Sequence, residues 1–201
     1  MAIPDIKEKW TSQINTVTLG ATKDEGEKKK KTVTVGGQTT LPLLTFEGEI
    51  PNKPVIAGYV ADTPPDWPDV LKNAIGSEIN SPAEWAEKCV KEFGVDLISL
   101  KMVGADPAGK DASPEECAKV VEDVLKAVDV PLIIWGCGED EKDNHVLPEC
   151  SQAAKGENCL MGSAKETNYM TVVALCKADG HKIISEAPVD INIGKQVNIL
   201  L

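Results

Sequence analysis

One short phrase opens two helices of this chain: Ser81-Pro82-Ala83-Glu84 and Ser113-Pro114-Glu115-Glu116. Serine caps the free N–H groups of a first helical turn, proline fits the first helical position, and glutamate two residues further on reaches back to the cap. Each phrase runs into an apolar stripe at helical spacing, such as Cys117, Val120, Val121, Val124, Leu125 and Val128. Each stripe is followed by a short apolar run, "VDLISLKMVGADP" after the first and "PLIIWGCG" after the second. Helix then strand, repeated at this interval, is the pattern of a parallel sheet covered by helices.

The pattern holds from residue 54 onward. Strands are predicted near 54–61, 96–103, 131–136, 158–163 and 182–187, and helices over 81–94, 113–129, 168–180 and 190–201, with a short one around "PECSQAAKG" at 148–156. Leu132 to Trp135 are apolar without alternation, which predicts cover on both faces of that strand. The first fifty residues differ. "NTVTLG" (15–20) and "KTVTVGG" (31–37) read as an antiparallel hairpin around a charged loop, whose run Lys28–Lys31 reads as a solvated tip.

Five βα units suit either an open doubly wound sheet or part of a (β/α)8 barrel. A dinucleotide-binding doubly wound sheet carries G-x-G-x-x-G after its first strand, and "YVADTPPDWP" has none. The chain also stops on Ile199, Leu200 and Leu201, with no cap or charge. The expected fold class is therefore α/β, a TIM (β/α)8 barrel incomplete here over residues 51–201, with an N-terminal β-hairpin extension over 1–50.

Charge narrows the function. Of 201 residues, 21 are Lys or Arg and 32 are Asp or Glu, a net charge of −11 that repels phosphate backbones and argues against nucleic acid as partner. No stretch is apolar enough to span a membrane, and "MAIPDIKEKWTSQ" lacks the apolar core of a signal peptide. A cytoplasmic location is the default expectation. The six cysteines, at 89, 117, 137, 150, 159 and 176, form no C-x-x-C pair and are expected as reduced thiols, with Cys89, Cys117 and Cys176 on apolar helix faces.

In parallel α/β proteins the C-terminal strand ends carry the site. The exits offer Asp62 and Asp66, then Asp106, then Cys137 with Glu139 and Asp140, then Ser163, Lys165 and Asn168, then Glu186, Asp190 and Asn192. Most of these carboxylates sit in loops where turns and helix caps use them, Asp190 above all as an N-cap. His145 and His181, the two imidazoles, fall at a polar helix start and before a strand, away from the exits. Cys137 has no nearby histidine in sequence, and its acidic neighbours raise a thiol pKa. Its flanking Gly136 and Gly138 point instead to backbone passing close to a ligand or a neighbouring chain.

The segments "NTVTLGATKDEG", "TVTVGGQTTLP", "FEGEIPNKPVIA", "PPDWPDVLK", "WAEKCVKEFGVDLISLKMVGADP", "VPLIIWGCGEDEKDN" and "PVDINIGKQVNIL" resemble the small (delta) subunit of the corrinoid iron–sulfur protein of the acetyl-CoA (Wood–Ljungdahl) pathway, associated with CO dehydrogenase/acetyl-CoA synthase. The resemblance implies a full TIM barrel, of which this chain would hold the hairpin and about five of eight units. It implies a non-catalytic carrier subunit paired with a large subunit that holds a [4Fe-4S] cluster and the corrinoid (cobalamin). Methyl groups would pass from methyltetrahydrofolate, by way of a separate methyltransferase, to acetyl-CoA synthase. Pterin methyltransferases of similar fold place an Asp at the third exit, where Gly136-Cys137-Gly138 stands here. The loop "DEGEKKKK" replaces the family's Gly-Gly-Thr-Arg. If the barrel mouth covers a corrinoid held mainly by the partner, Gly104, Gly136, Cys137, Gly138, Ser163 and Ala164 are the expected cofactor-binding positions, lining a shallow and largely uncharged concavity. No catalytic or metal-ligating residue is expected in this chain. The alternatives are an active pterin-dependent corrinoid methyltransferase and a stand-alone small-molecule-binding barrel.

Overall fold

A computed structural model describes residues 7–21 and 31–201. Lys28, Lys29 and Lys30 and most of the hairpin loop, with its departure from the family wording, lie outside the described residues, as do residues 1–6.

Five strands, β3 (Ala57–Ala61), β4 (Leu97–Lys101), β5 (Leu132–Trp135), β6 (Leu160–Ala164) and β7 (Lys182–Ser185), pair in chain order and all in parallel. The mid-sheet reversal of a doubly wound fold does not occur among them. Right-handed crossovers in a sheet of sequential order place every helix on one face. Accordingly α2 (Pro82–Lys91), α3 (Pro114–Ala127), α4 (Asp140–Ala153) and α5 (Tyr169–Asp179) pack side by side in that order. α1 (Asp69–Ile75) precedes them and α6 (Ile191–Leu200) follows.

The cap phrases act as expected. Ser113 accepts from the Glu116 N–H while the Glu116 carboxylate accepts from the Ser113 N–H, and Ser81 accepts from the Glu84 N–H. Asp190 caps α6 by accepting from the N–H groups of Asn192 and Ile193. The core lies between helices and sheet. Ile98, Leu100, Leu132, Ile134 and Met161 from the strands meet Trp85, Val121, Val124, Val146 and Leu147 from the helices, all essentially inaccessible. Cys89, Cys117 and Cys176 are buried there as expected, joined by Cys150, and none of the six cysteines forms a disulfide.

Two expectations need correction. The other face of the sheet is not covered among the described residues: on β5, Leu132 and Ile134 are buried, but Ile133 and Trp135 are only half-buried. An unbroken apolar run cannot distinguish two covered faces from one covered and one lining a concavity. The helix expected at 148–156 instead begins at Asp140 and runs fourteen residues, carrying Pro148 inside it. Its first turn holds Asp140, Glu141 and Asp143, which favour a helix N-terminus, and its buried side is 143, 146, 147, 150 and 151. Reading Pro148 as a helix start hid that stripe.

At the N-terminal strand ends sits the hairpin, β1 (Val17–Leu19) paired antiparallel with β2 (Val33–Val35). It is fastened mainly by uncharged groups. The Gly20 N–H donates to the Asn158 carbonyl at 3.0 Å, the Asn158 amide donates to the Thr18 and Gly20 carbonyls, and the Lys31 N–H donates to the Asp129 carbonyl at 2.8 Å.

Candidate functional site

The C-terminal strand ends enclose a concavity of about 470 Å³, lined among others by Tyr59, Ser99, Lys101, Trp135, Ser163 and Lys165. These positions follow from strand alternation. Ile98 and Leu100 point into the helix layer, so Ser99 and Lys101 face the opposite way. Across the ladder Lys101 is level with Trp135, whose indole N–H donates to the Ser99 hydroxyl at 3.0 Å.

The residue that organises the mouth is Asp143, which the sequence reading did not single out. It lies buried in the first turn of α4 and aims back at the third strand exit. Its Oδ1 accepts from the Cys137 N–H at 2.8 Å and from the Cys137 thiol at 3.2 Å; its Oδ2 accepts from the Gly138 N–H at 3.0 Å. Gly136 is glycine for the same reason, since a Cβ there would fall on the Asp143 carboxylate. Within the chain, the close approach at this glycine is made by the Asp143 side chain. An aspartate on the buried stripe of a helix, five residues after a Gly-x-Gly exit, was the available signal: a buried carboxylate needs donors, and the nearest are exit N–H groups.

The other exit groups are tied in a similar way. Asp62, at the first exit, accepts from the Gly104 N–H at 2.8 Å and is pushed up in pKa by burial. Asp106 closes its own turn by accepting from the Ala108 N–H. Lys142 pairs with Asp111 at 2.6 Å. Lys165 bridges exits four and three, donating to the Gly138 carbonyl at 3.1 Å and to Asp140 at 2.9 Å, while the Thr167 hydroxyl also donates to Asp140. The Thr167 bond, then Lys165, lowers the Asp140 pKa, and the bond to Asp140 raises that of Lys165. Asn168 accepts from the Lys165 N–H and donates to the Ser163 carbonyl.

Of the six expected cofactor-binding positions, Gly136, Gly138 and Ser163 line the concavity. Gly104 is buried beneath the side chains of Asp62 and Thr63, and Ala164 is fully buried. Cys137 is half-buried, with its thiol pushed up to about 11 by burial and by its bond to Asp143. The lining is also more charged than expected, because Lys101, Lys165, Asp143 and Glu186 all contribute. Alternating strand residues put Lys101 there, and the helix that starts at Asp140 adds Asp143. His145 is exposed on α4. His181 is buried at the base, where its Nδ1 accepts from the Cys159 N–H at 3.2 Å and its Nε2 lies 3.0 Å from the Ser151 carbonyl. No imidazole reaches the mouth among the described residues. Nor does any group of three His, Cys, Asp or Glu side chains there form a set able to hold a metal ion.

Residues 16–201 match the family described as CO dehydrogenase/acetyl-CoA synthase delta subunit. The chain belongs to this delta subunit family. It is 38% identical over 193 residues to the acetyl-CoA decarbonylase/synthase complex subunit delta of Archaeoglobus fulgidus, covering 96% of this chain and 43% of the relative. It is 39% identical over 193 residues to the subunit of that name from Methanocaldococcus jannaschii, covering 95% and 47%. Over 175 residues it is 39% identical to the one from Methanothermobacter thermautotrophicus, covering 86% and 44%. This delta-family chain thus spans less than half the length of these curated relatives. No helix among its described residues is long and apolar enough to cross a membrane.

Proposed function

We propose that this chain is the barrel part of a delta subunit in an acetyl-CoA decarbonylase/synthase complex, and that its mouth is a non-catalytic cover for a corrinoid held by a partner subunit. In this reading the five sequential strands are part of a TIM barrel whose remaining strands complete the closed wall. The carrier's large subunit holds the corrinoid and the [4Fe-4S] cluster, and the mouth docks in turn to a methyltetrahydrofolate methyltransferase and to acetyl-CoA synthase/CO dehydrogenase, in the cytoplasm.

The single observation that carries this reading is the state of the exit groups. A general acid or base must be free to reach its substrate. Asp143, the carboxylate at the third exit, has both oxygens engaged by the Cys137 and Gly138 N–H groups and by the Cys137 thiol. Asp62 and Asp140 are likewise bound to neighbouring loops. Such ties hold a surface in shape, which suits a cover, because a broad ligand gains affinity from many weak contacts on a rigid face.

The mouth fits covering rather than ligation. A concavity of about 470 Å³ is too small to engulf a corrin ring, no histidine reaches it among the described residues, and the Cys137 thiol is protonated at neutral pH. Gly138, Ser163 and the exposed edge of Cys137 are the positions that would meet the ring. The corrinoid, when bound by the partner, supplies the cobalt that carries the methyl group. This chain's residues exclude water from that face and hold its outline.

The test is methyl uptake by the complex reconstituted with the corrinoid-bearing subunit. Ser163→Trp, which fills the mouth, is expected to weaken uptake or assembly, and Cys137→Ser to leave both near the unmodified level. Methyl transfer from methyltetrahydrofolate to free corrinoid by this chain alone would support the active-methyltransferase reading instead.

A further inference from the structure

The cover reading leaves the floor of the concavity unused, and the floor carries a cation that forms no ion pair among the described residues. Lys101 is half-buried on β4, facing the concavity. Lys142 on α4 and Lys165 at the fourth exit are each paired with an aspartate. No carboxylate among the described residues lies within ion-pair distance of Lys101. An ammonium drawn partly out of water without a partner carries an uncompensated desolvation cost, which an anion entering the site would offset.

The groups around it are donors. The Ser99 hydroxyl already accepts from the Trp135 indole, so its own proton is left to give away. Tyr59 adds a hydroxyl, and burial followed by the charge of Asp62 raises its pKa, keeping that phenol protonated. The acceptors nearby are not competitors: both Asp143 oxygens are engaged, and Glu186 is exposed on the rim. A floor with one cation and two hydroxyl donors recognises an acceptor-rich anion. We propose that Lys101 anchors an oxyanion-binding site on the concave face of the sheet, taking a phosphate or carboxylate group. The site is independent of whether the rim above it covers a corrinoid.

Titration of the intact chain with sodium phosphate and, separately, with sodium acetate at constant ionic strength tests this. The readout is the indole N–H resonance of Trp135, which senses the floor through its bond to Ser99. A saturable shift is expected with at least one anion. Saturation by phosphate alone assigns a phosphoryl group, by acetate alone a carboxylate, and by both an unselective oxyanion site. Lys101→Met should weaken binding by about tenfold or more, the loss expected for a charge-assisted hydrogen bond, while Lys101→Arg retains it. Lys119→Met, the same charge change at an exposed position on α3, should alter nothing. Absence of saturation with either anion in the unmodified chain overturns the proposal without recourse to any variant, as does undiminished binding in a folded Lys101→Met protein. Methyl uptake reports on the cover and this titration on the floor, so the two can fail separately.

Discussion

The two ends of the sheet solve the same problem with different chemistry. At the base the ties are mainly neutral, with Asn158 holding the hairpin at Thr18 and Gly20 and His181 joining Cys159 to Ser151 of α4. Charge enters there at the exposed Lys31–Asp129 pair and where Asp96 accepts from the Ile56 N–H. At the mouth, the exits are joined through charge: Asp62 to Gly104, Asp143 to Cys137 and Gly138, and Lys165 to Asp140. A charged residue at a strand exit usually suggests chemistry. Here the difference teaches that charge can equally be what fixes loop shape, since carboxylate–N–H bonds are shorter and stronger than neutral ones.

The sharpest way to break the comparison is at Gly136. Gly136→Ala places a methyl group on the Asp143 carboxylate, and a loss of about 3 kcal/mol or more is expected in urea unfolding, from overpacking plus displaced hydrogen bonds. A loss below about 1 kcal/mol would show that the tie is slack. Asp143→Ala leaves the Cys137 and Gly138 N–H groups without their acceptor and is expected to cost about 2–4 kcal/mol in the same measurement.

The base carries a group whose titration just below neutral pH bears on stability. Burial lowers the His181 pKa below its ordinary value of 6.5. Between that value and the lower folded one, the unfolded chain binds a proton that the folded chain refuses. Stability is therefore full above about pH 6.5 and falls as pH drops below it, by at most about 1.4 kcal/mol per pH unit. His181→Gln should flatten that slope in acid unfolding curves. An unchanged slope would remove His181 from the base's account of acid sensitivity.

Smaller effects separate the partly exposed clamp from the buried one. Lys165→Met breaks a half-exposed pair and is expected to cost about 0.5–1 kcal/mol, well short of Asp143→Ala, in parallel unfolding experiments. Cys137 is the mildest case. With its pKa moved from 9.0 to about 11, its thiolate fraction at pH 8 is about 100-fold lower than that of an ordinary thiol, and alkylation by iodoacetamide should slow in proportion.

Much of the frame was legible because local chemistry and global fold agree. The Ser-Pro phrases mark α2 and α3, β-branched runs mark the hairpin, and apolar runs mark five strands that pair in chain order. The mouth was half legible. Gly136, Gly138 and Ser163 do line the concavity, but Gly104 is buried beneath Asp62 and Thr63 and Ala164 is fully buried. The miss at Asp143 came from polarity. An acidic stretch ending at a proline reads as a loop when counted by composition, and its helical period emerges only if one aspartate is allowed a place on the buried stripe. Lys101 was passed over for the opposite reason: a lysine within an apolar strand looks like an exposed edge until its neighbours are known to face the helices.

Whether the mouth is a cover or a catalyst turns on Asp143, and one measurement separates the two most directly: methyl uptake per folded complex, reconstituted with the proposed corrinoid-bearing subunit, for Asp143→Asn against the unmodified chain. Asparagine keeps the shape and one acceptor, so a cover retains uptake within about threefold, the loss set by loosened packing alone. A fall of about 100-fold or more in a complex that still folds and assembles is the size expected when a general acid or base is removed, and it would contradict the cover.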